Sequence, residues 1–248
     1  MIIALLGDVH SNFPALEAVV KEIEKISPDA VYFLGDAVGY GPWPEETLDL
    51  LKKVVTEGVL GNHDAGVVGK TDISDYYDAV RYVINWTTDT ITNDQYEFLD
   101  KLKYIHVEND ENFLLSHGSP RMPERYDYIF GEKSVKNLYE VESFLKNINF
   151  IGHSHYMNLF VMTGQNRCVE IDISSGELEI DYEKPVICVC GSVGQPRDGD
   201  SRAGFVTYDT VKKILKFHRV EYDVEKTVKK IIDLRLPRSF GERLRDGY

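Results

Sequence analysis

The chain has 248 residues, of which 43% are hydrophobic and 28% are charged. These values are close to the averages of soluble globular proteins and exclude a disordered, collagen-like or disulfide-scaffold chain. Its 28 Lys and Arg residues stand against 41 Asp and Glu residues, which gives a formal net charge of −13. Because such an acidic surface repels a polyphosphate backbone, extended nucleic acid is not expected as a partner.

The N-terminal apolar run is short. It covers residues 2–6 and ends at Gly7 and Asp8, far below the roughly 20 residues that span a bilayer. It also lacks a basic flank and a cleavage site. We therefore expect a cytoplasmic protein without a membrane segment, and the sequence leaves a homo-oligomer open.

The three cysteines are Cys168, Cys188 and Cys190. We expect buried, reduced thiols, because free cysteine packs as a small apolar residue. A metal role for Cys188 and Cys190 is the alternative, but no further pair of thiols or nearby histidine completes a tetrahedral set with them.

The first half of the chain alternates short apolar runs with helical periodicity, a pattern that predicts an α/β fold. Strands are predicted over residues 1–6, 30–34 and 58–60, and helices over 13–26 and 44–55. A longer helical pattern covers 74–103, followed by strands at 104–107 and 112–115, a helix near 134–145 and a strand at 149–151.

The second half consists of short apolar runs separated by turn residues, which predicts a meander of strands. These runs cover residues 159–162, 168–173, 178–182, 186–190, 205–209 and 214–220. Because no repeat or linker interrupts the chain, we expect one domain over 1–248 with a C-terminal helical tail at about 223–248. This tail begins as an amphipathic helix and ends in an Arg-rich stretch.

Five predicted strands are followed by side chains that bind metals or transfer protons. The segments are Gly7-Asp8-Val9-His10, Gly35-Asp36, Gly61-Asn62-His63-Asp64, Ser116-His117-Gly118 and Gly152-His153-Ser154-His155. They contain five of the seven histidines, whereas His106 and His218 lie elsewhere. Since ligand sites in open α/β sheets lie at the carboxyl ends of strands, we expect these segments to converge on one crevice.

The converging residue types favour a metal centre. A single histidine at a strand end is usually structural, but five histidines together with Asp8, Asp36 and Asn62 are hard to explain in that way. Neighbouring buried carboxylates repel each other unless cations neutralise them. Mixed imidazole and oxygen ligands favour two divalent ions of Mn, Fe, Zn, Ni or Co over Ca or Mg. Two such ions can hold a hydroxide nucleophile and bind a phosphoryl oxygen.

In order and type, these blocks resemble those of the calcineurin-like metallophosphoesterases. The resemblance implies an α/β fold built as a two-sheet β-sandwich flanked by helices. It implies one metal bound by Asp8, His10, Asp36 and His155, and a second bound by Asp36, Asn62, His117 and His153. Asp36 would bridge the two ions, and His63 would lie beside the phosphate to stabilise charge or protonate the leaving oxygen.

Segments 35–42, 116–121 and 191–200 resemble a compact prokaryotic, phosphodiesterase-like branch related to diadenosine tetraphosphatase-like proteins. The chain has no Asp-Arg-Gly after Asp36, the block that supplies a phosphate-clamping arginine in serine/threonine phosphatases. A protein-phosphatase role therefore loses support. Without that block, Asp64 is the nearest catalytic candidate to orient His63, and a structural hydrogen bond at a turn is its alternative role.

Substrate contacts are predicted in three loops. Arg197 lies in a Gly- and Pro-rich loop where it could bind a phosphate, or be a solvated turn residue. Other candidates follow His117 and Asp36 in the sequence: Arg121, Tyr126, Tyr128, Phe130, Tyr40 and Trp43. Aromatic side chains there could stack on a base or an aryl leaving group, or pack locally.

The expected function is that of a dinuclear, metal-dependent phosphoesterase, with manganese among the expected ions. It would hydrolyse small phosphodiesters or nucleotides by attack of a metal-bridging hydroxide. A nuclease is one alternative, opposed by the charge of −13. A protein-binding scaffold resembling a retromer subunit is the other, although such scaffolds tend to lose metal-ligand residues and none is missing here.

Overall fold

The computed structural model describes residues 1–181 and 183–248. The helices are α1 (Phe13–Ile26), α2 (Pro44–Val54), α3 (Asn62–Val67), α4 (Asp78–Thr90), α5 (Asn93–Lys101), α6 (Glu132–Lys136), α7 (Val224–Asp233) and α8 (Arg238–Asp246). The strands are β1 (Ile2–Leu6), β2 (Ala30–Phe33), β3 (Glu57–Gly58), β4 (Ile105–Glu108), β5 (Phe113–Ser116), β6 (Ile148–Ile151), β7 (Met157–Gly164), β8 (Arg167–Glu170), β9 (Glu177–Glu179), β10 (Val186–Cys190), β11 (Ala203–Asp209) and β12 (Ile214–Val220). Two 3-10 segments cover Pro123–Arg125 and Asn137–Phe144.

The strands form two mixed sheets of six strands each. One has the order β3-β2-β1-β11-β12-β9 and the other β4-β5-β6-β10-β7-β8. β1 pairs parallel with β2, and β6 pairs parallel with both β5 and β10. Parallel pairing points the carboxyl ends of β1 and β2 the same way in one sheet, and those of β5 and β6 the same way in the other, and the polar segments follow these ends.

The two sheets face each other across an apolar core. Inward-facing side chains of β1, such as Ile3 and Leu5, pack with Phe113 of β5 and Phe150 of β6. The alternate residues of β1, Ala4 and Leu6, face the opposite way and pack with helix α1. This double burial explains why the strands read as continuous apolar runs. The α/β sandwich flanked by helices is confirmed.

Most element boundaries in the first half follow the sequence prediction, and one long helical pattern is divided. Residues 74–103 form α4 and α5 rather than a continuous helix. Ile91 ends α4 in an extended conformation, and Thr92 begins α5 with a capping box that involves Gln95. The cap satisfies backbone N–H groups that a continuing helix would have bonded internally.

The predicted meander of the second half is wrong. β7, β8 and β10 join one sheet, whereas β9, β11 and β12 join the other, and β11 pairs with β1. Local turn signals show where strands end but do not specify their partners. The predicted strand at 178–182 is shorter, at Glu177–Glu179, and its last residue, Tyr182, lies outside the described residues. The Arg-rich end of the chain forms helix α8.

The cysteines are free and buried, as predicted. The sulfur atoms of Cys188 and Cys190 lie 3.9 Å apart in the core between the sheets. Within residues 1–181 and 183–248, no helix combines the length and apolar character needed to cross a bilayer.

Candidate metal centre

The polar segments that follow β1, β2, β3, β5 and β6 meet at one edge of the sandwich. Three groups of potential metal ligands lie there. Within each group, all the ligand atoms are within 4.8 Å of one another. The groups are Asp8, His10 and His155; His10, Asp36 and His63; and Asp36, His117 and His153. The structure thus gathers the predicted segments into one cluster.

The first ligand group consists of Asp8, His10 and His155. The Nε2 atom of His155 lies 3.2 Å from Oδ1 of Asp8 and 3.1 Å from Nε2 of His10. Oδ1 of Asp8 is buried and has no hydrogen-bond partner among the described residues. A buried carboxylate oxygen without a hydrogen-bond partner, close to two imidazole nitrogens, is the arrangement expected of ligands that bind one cation.

The second ligand group combines the set of Asp36, His117 and His153 with Asn62. The Nε2 atom of His117 lies 3.1 Å from Nδ1 of His153, 3.2 Å from Oδ1 of Asn62 and 3.3 Å from Oδ2 of Asp36. Oδ2 of Asp36 also lies 3.7 Å from Nε2 of His10. Asp36 therefore stands between the two groups, where a bridging ligand would lie.

Three of the histidines are oriented by backbone carbonyls. Nδ1 of His10 lies 3.0 Å from the carbonyl oxygen of Val38. Nδ1 of His117 lies 2.7 Å from that of Leu34, and Nδ1 of His155 lies 2.5 Å from that of Gln195. An Nδ1–H that donates to a carbonyl leaves Nε2 with the lone pair that binds a metal. In each case Nε2 is the atom that faces the other ligands, so the donor set fits divalent cations.

The backbone of the centre is unusual. Five of the seven candidate ligands adopt a positive φ: Asp8, His10, Asp36, His153 and His155. Such conformations of non-glycine residues cost about 1 to 3 kcal/mol each and persist where the surrounding structure enforces them. Glycine makes the close packing possible, because a Cβ atom on Gly61 would lie 2.1 Å from Oδ1 of Asp36.

The electrostatics of the ligands follow from burial and from Asp36. Burial lowers the pKa of His10, His153 and His155, which keeps these imidazoles neutral and able to bind a cation. Burial also opposes charge on His117, but the adjacent Asp36 carboxylate outweighs it and raises the pKa of His117 to about 9. The His117 side chain in turn contributes to the lowered pKa of Asp36.

His63 lies beside the ligands at the start of α3. Its backbone N–H donates to Oδ1 of Asp36 at 2.9 Å, and its ring centroid lies 4.6 Å from that of Tyr40. Burial lowers the pKa of His63 to about 4. Its Nδ1 is buried close to Gly39 and has no partner among the described residues, so Nε2 is the nitrogen available to a substrate.

Among residues 1–181 and 183–248, the Asp64 carboxylate bonds to backbone groups and not to the His63 ring. Its carboxylate accepts hydrogen bonds from the backbone N–H groups of Val38 at 3.2 Å and Gly61 at 3.3 Å. Burial, with the nearby charge of Asp36, raises the pKa of Asp64 to about 7. Of the two roles predicted for Asp64, these contacts correspond to the structural one: it fixes the loops after β2 and β3 to each other.

A cavity of about 530 Å³ opens beside the ligand cluster. Among the predicted substrate contacts, Tyr40, Tyr126, Tyr128 and Arg197 line it. Arg197 donates to two neutral acceptors, the side-chain oxygen of Gln195 at 2.9 Å and the Tyr40 hydroxyl at 3.4 Å. Its Nε is buried without an acceptor among the described residues. This guanidinium thus keeps its charge available to an anion.

The prediction that Arg121 contacts substrate is not supported by its position. Its Nε donates to Glu140 at 2.7 Å, and it is not among the residues that line the cavity. The acidic partner lies 19 residues further along the chain, in the second 3-10 segment, so the order of residues after His117 gave no signal of this pairing.

The C-terminal helices pack directly behind the centre, a role that the sequence did not reveal. The Asn12 amide donates to the Gly194 carbonyl at 2.8 Å and accepts from Thr227 of α7 at 2.9 Å. Phe240 of α8 packs edge-on against Tyr40, with ring centroids 4.9 Å apart. The helices α7 and α8 therefore support the loops that carry His10, Tyr40 and Arg197.

Tyr76 is a further contact that sequence reasoning missed. Its hydroxyl accepts a hydrogen bond from the Asn62 amide nitrogen at 3.3 Å, which directs Oδ1 of Asn62 toward His117. Tyr76 lies in the loop before α4, outside all the recognised motifs, and no sequence signal identifies it.

Comparisons with known proteins agree with this site. Residues 1–166 match the profile of the calcineurin-like phosphoesterases. An uncharacterised protein of Methanocaldococcus jannaschii is 36% identical over 98% of this chain and 96% of its own length. The crystal structure of a metallophosphoesterase from Sphaerobacter thermophilus is 29% identical, with a TM-score of 0.86 over 100% of this chain and 99% of that one. A symmetrical bis(5'-nucleosyl)-tetraphosphatase of Psychromonas ingrahamii is 40% identical over 24% of this chain and 23% of its own length.

Proposed function

This chain belongs to the calcineurin-like phosphoesterase family and is a metal-dependent phosphoesterase, and we propose that it hydrolyses small phosphodiesters or nucleotides at a centre of two divalent cations. The observation that carries the proposal is the position of Asp36. Its Oδ2 lies 3.7 Å from His10 in one ligand group and 3.3 Å from His117 in the other. One carboxylate oxygen thus faces both groups, as a shared ligand of two neighbouring ions does.

We assign Asp8, His10, Asp36 and His155 to one ion, and Asp36, Asn62, His117 and His153 to the other. When bound, such ions polarise phosphoryl oxygens and supply a water-derived nucleophile at neutral pH. The donor set of imidazoles and carboxylates favours Mn, Fe, Zn, Ni or Co, with manganese as the proposed ion.

His63 would act on the phosphate directly. Because its pKa lies near 4, the ring is neutral at pH 7 and carries one N–H. With Nδ1 enclosed beside Gly39, Nε2 is the atom that can donate to a phosphate oxygen or protonate the leaving oxygen. The bond from its backbone N–H to Asp36 fixes the start of α3 relative to the ligands.

Arg197 and Tyr40 would bind the substrate. The guanidinium of Arg197 lies at the cavity wall, and its side-chain acceptors within residues 1–181 and 183–248 are neutral, so it can form charge-assisted hydrogen bonds with non-bridging phosphate oxygens. A cavity of about 530 Å³ suits a ligand of small-molecule size. The net charge of −13 further supports a compact substrate over an extended polynucleotide.

Hydrolysis by the purified protein tests this proposal. After loading with Mn²⁺, Ni²⁺ or Co²⁺, we expect cleavage of an aryl phosphodiester, loss of turnover in Asp36→Asn, and a rate lowered about 10²- to 10⁴-fold in His63→Ala. His106→Ala is the matched control, because His106 lies in β4 outside the cluster. Equal rates in the parent and in Asp36→Asn would contradict the proposal, and preferential cutting of single- or double-stranded DNA would favour a nuclease.

A further inference from the structure

His153 differs from the other three histidines of the ligand cluster. It faces the second ligand group through Nδ1, which lies 3.1 Å from Nε2 of His117. Its Nδ1 is therefore not available for the bond to a backbone carbonyl that orients His10, His117 and His155. The ring needs another contact to hold its orientation, because the final torsion of a histidine side chain is only weakly restricted.

The ring of Tyr128 lies flat on the ring of His153. Their centroids are 3.9 Å apart and their planes differ by 12°. Phe130 stacks on Tyr128 in turn, with a centroid distance of 4.8 Å and an angle of 18°. Tyr128 and Phe130 are 43% and 54% exposed, so this ordered stack stands at the surface rather than in a core.

The segment that carries Tyr128 is folded back onto the start of its own loop. The backbone N–H of Ser119 donates to the carbonyl of Asp127 at 2.8 Å. Gly118 allows the approach, because a Cβ atom there would lie 2.9 Å from the backbone of Tyr126. The hydrogen bond between Ser119 and Asp127 therefore closes a loop that begins next to His117 and places Tyr128 against His153.

We propose that Tyr128 is a positioning residue for the second metal ion: its ring fixes the imidazole of His153 in place of the missing carbonyl contact. This inference rests on the proposed ligand role of His153. Tyr128 also lines the cavity, as Arg197 does.

Two substitutions separate the contribution of the Tyr128 ring from that of its hydroxyl. In Tyr128→Ala the ring is lost, and we expect one of two Mn²⁺ binding events to weaken about 3- to 10-fold, the range for an aromatic stacking contact. In Tyr128→Phe the ring remains, so both Mn²⁺ affinities should stay at the parent values.

Calorimetric titration of the metal-free protein with Mn²⁺ measures these affinities without relying on turnover. Tyr82→Ala is the matched control, since Tyr82 is a comparably exposed tyrosine of α4. His153→Ala defines the event that belongs to His153, and adding Tyr128→Ala to it should leave the remaining event unchanged. Thermal melting of each metal-free variant verifies that it is folded.

A retained stack can also be observed without metal. The His153 ring protons should show a ring-current shift in the NMR spectrum of the histidine-labelled protein, kept in Tyr128→Phe and lost in Tyr128→Ala. Two unchanged Mn²⁺ events in Tyr128→Ala would overturn this inference alone, as would an equal loss in Tyr128→Phe. A single event in the parent would overturn both this inference and the two-metal proposal.

Discussion

Replacing Arg197 with glutamine tests whether the cavity is built to bind an anion. Arg197 lines the cavity, and its guanidinium donates hydrogen bonds to two neutral acceptors, Gln195 and Tyr40. Glutamine keeps a polar side chain at the position and removes only the charge and the planar donor group. We expect substrate binding to weaken while the metal ligands remain intact.

The magnitude follows from the kind of bond that is lost. A hydrogen bond to a charged group contributes about 1.5 to 3 kcal/mol. At about 1.4 kcal/mol per factor of ten, kcat/KM for an aryl phosphodiester should fall roughly 10- to 150-fold in Arg197→Gln. Arg197→Lys should recover part of this loss, because it restores the charge without the two-pronged geometry.

Steady-state kinetics with a saturating divalent ion provide the assay, and the metal content of each variant is measured in parallel. Arg125→Gln is the control, because Arg125 also lines the cavity but its charge is already paired and largely solvated. Its side chain is 61% exposed, and its Nε lies 3.7 Å from Oδ1 of Asp127. Its kcat/KM should change less than about threefold. A change of less than twofold in Arg197→Gln would refute an anion-binding role, and so would an equal effect in the control.

Three further substitutions test other parts of the structure. Phe240→Ala should lower the free energy of unfolding by about 3 to 5 kcal/mol and raise KM, because Tyr40 loses its packing partner; denaturant titration showing under 1 kcal/mol would contradict this. Asp64→Ala leaves two buried backbone N–H groups without acceptors, so we expect a loss of about 1 to 3 kcal/mol, and unchanged thermal melting would argue against that role. The hydrogen bond from Arg202 lowers the pKa of Asp200 to about 2, so ionised Asp200 stabilises the fold above about pH 4, and this contribution disappears as the pH falls toward 2. Asp200→Asn should therefore have a lower free energy of unfolding than the parent above about pH 4, and the difference should vanish near pH 2. A difference that does not change with pH would contradict this.

The positions of the ligand segments were predictable from the sequence for a physical reason. Each follows a run of apolar residues long enough to be a buried strand, and parallel strands present their carboxyl ends on one side. Asp8 follows β1, Asp36 follows β2, and His153 follows β6 in this way. The sandwich and the family could therefore be predicted from the sequence.

Contacts between distant segments were not predictable. Hydrophobic periodicity reports which face of an element is buried, but it does not report the partner that covers it. The assignment of β11 to the sheet of β1, the support of Tyr40 by Phe240 and the bond from Asn62 to Tyr76 all depend on such partners. Arg121 illustrates the same limit, because its pairing with Glu140 is decided by the fold of two loops.

The placement of β1 affects how the chain matures during synthesis. β1 is held between β2, which follows within some 30 residues, and β11, which begins at Ala203. Until most of the chain has left the ribosome, one edge of β1 has no neighbour and the loop that ends at His10 has support on one side only. An open strand edge is a site of mispairing between nascent chains. Metal acquisition should accordingly come late, after the C-terminal strands have closed the sheet.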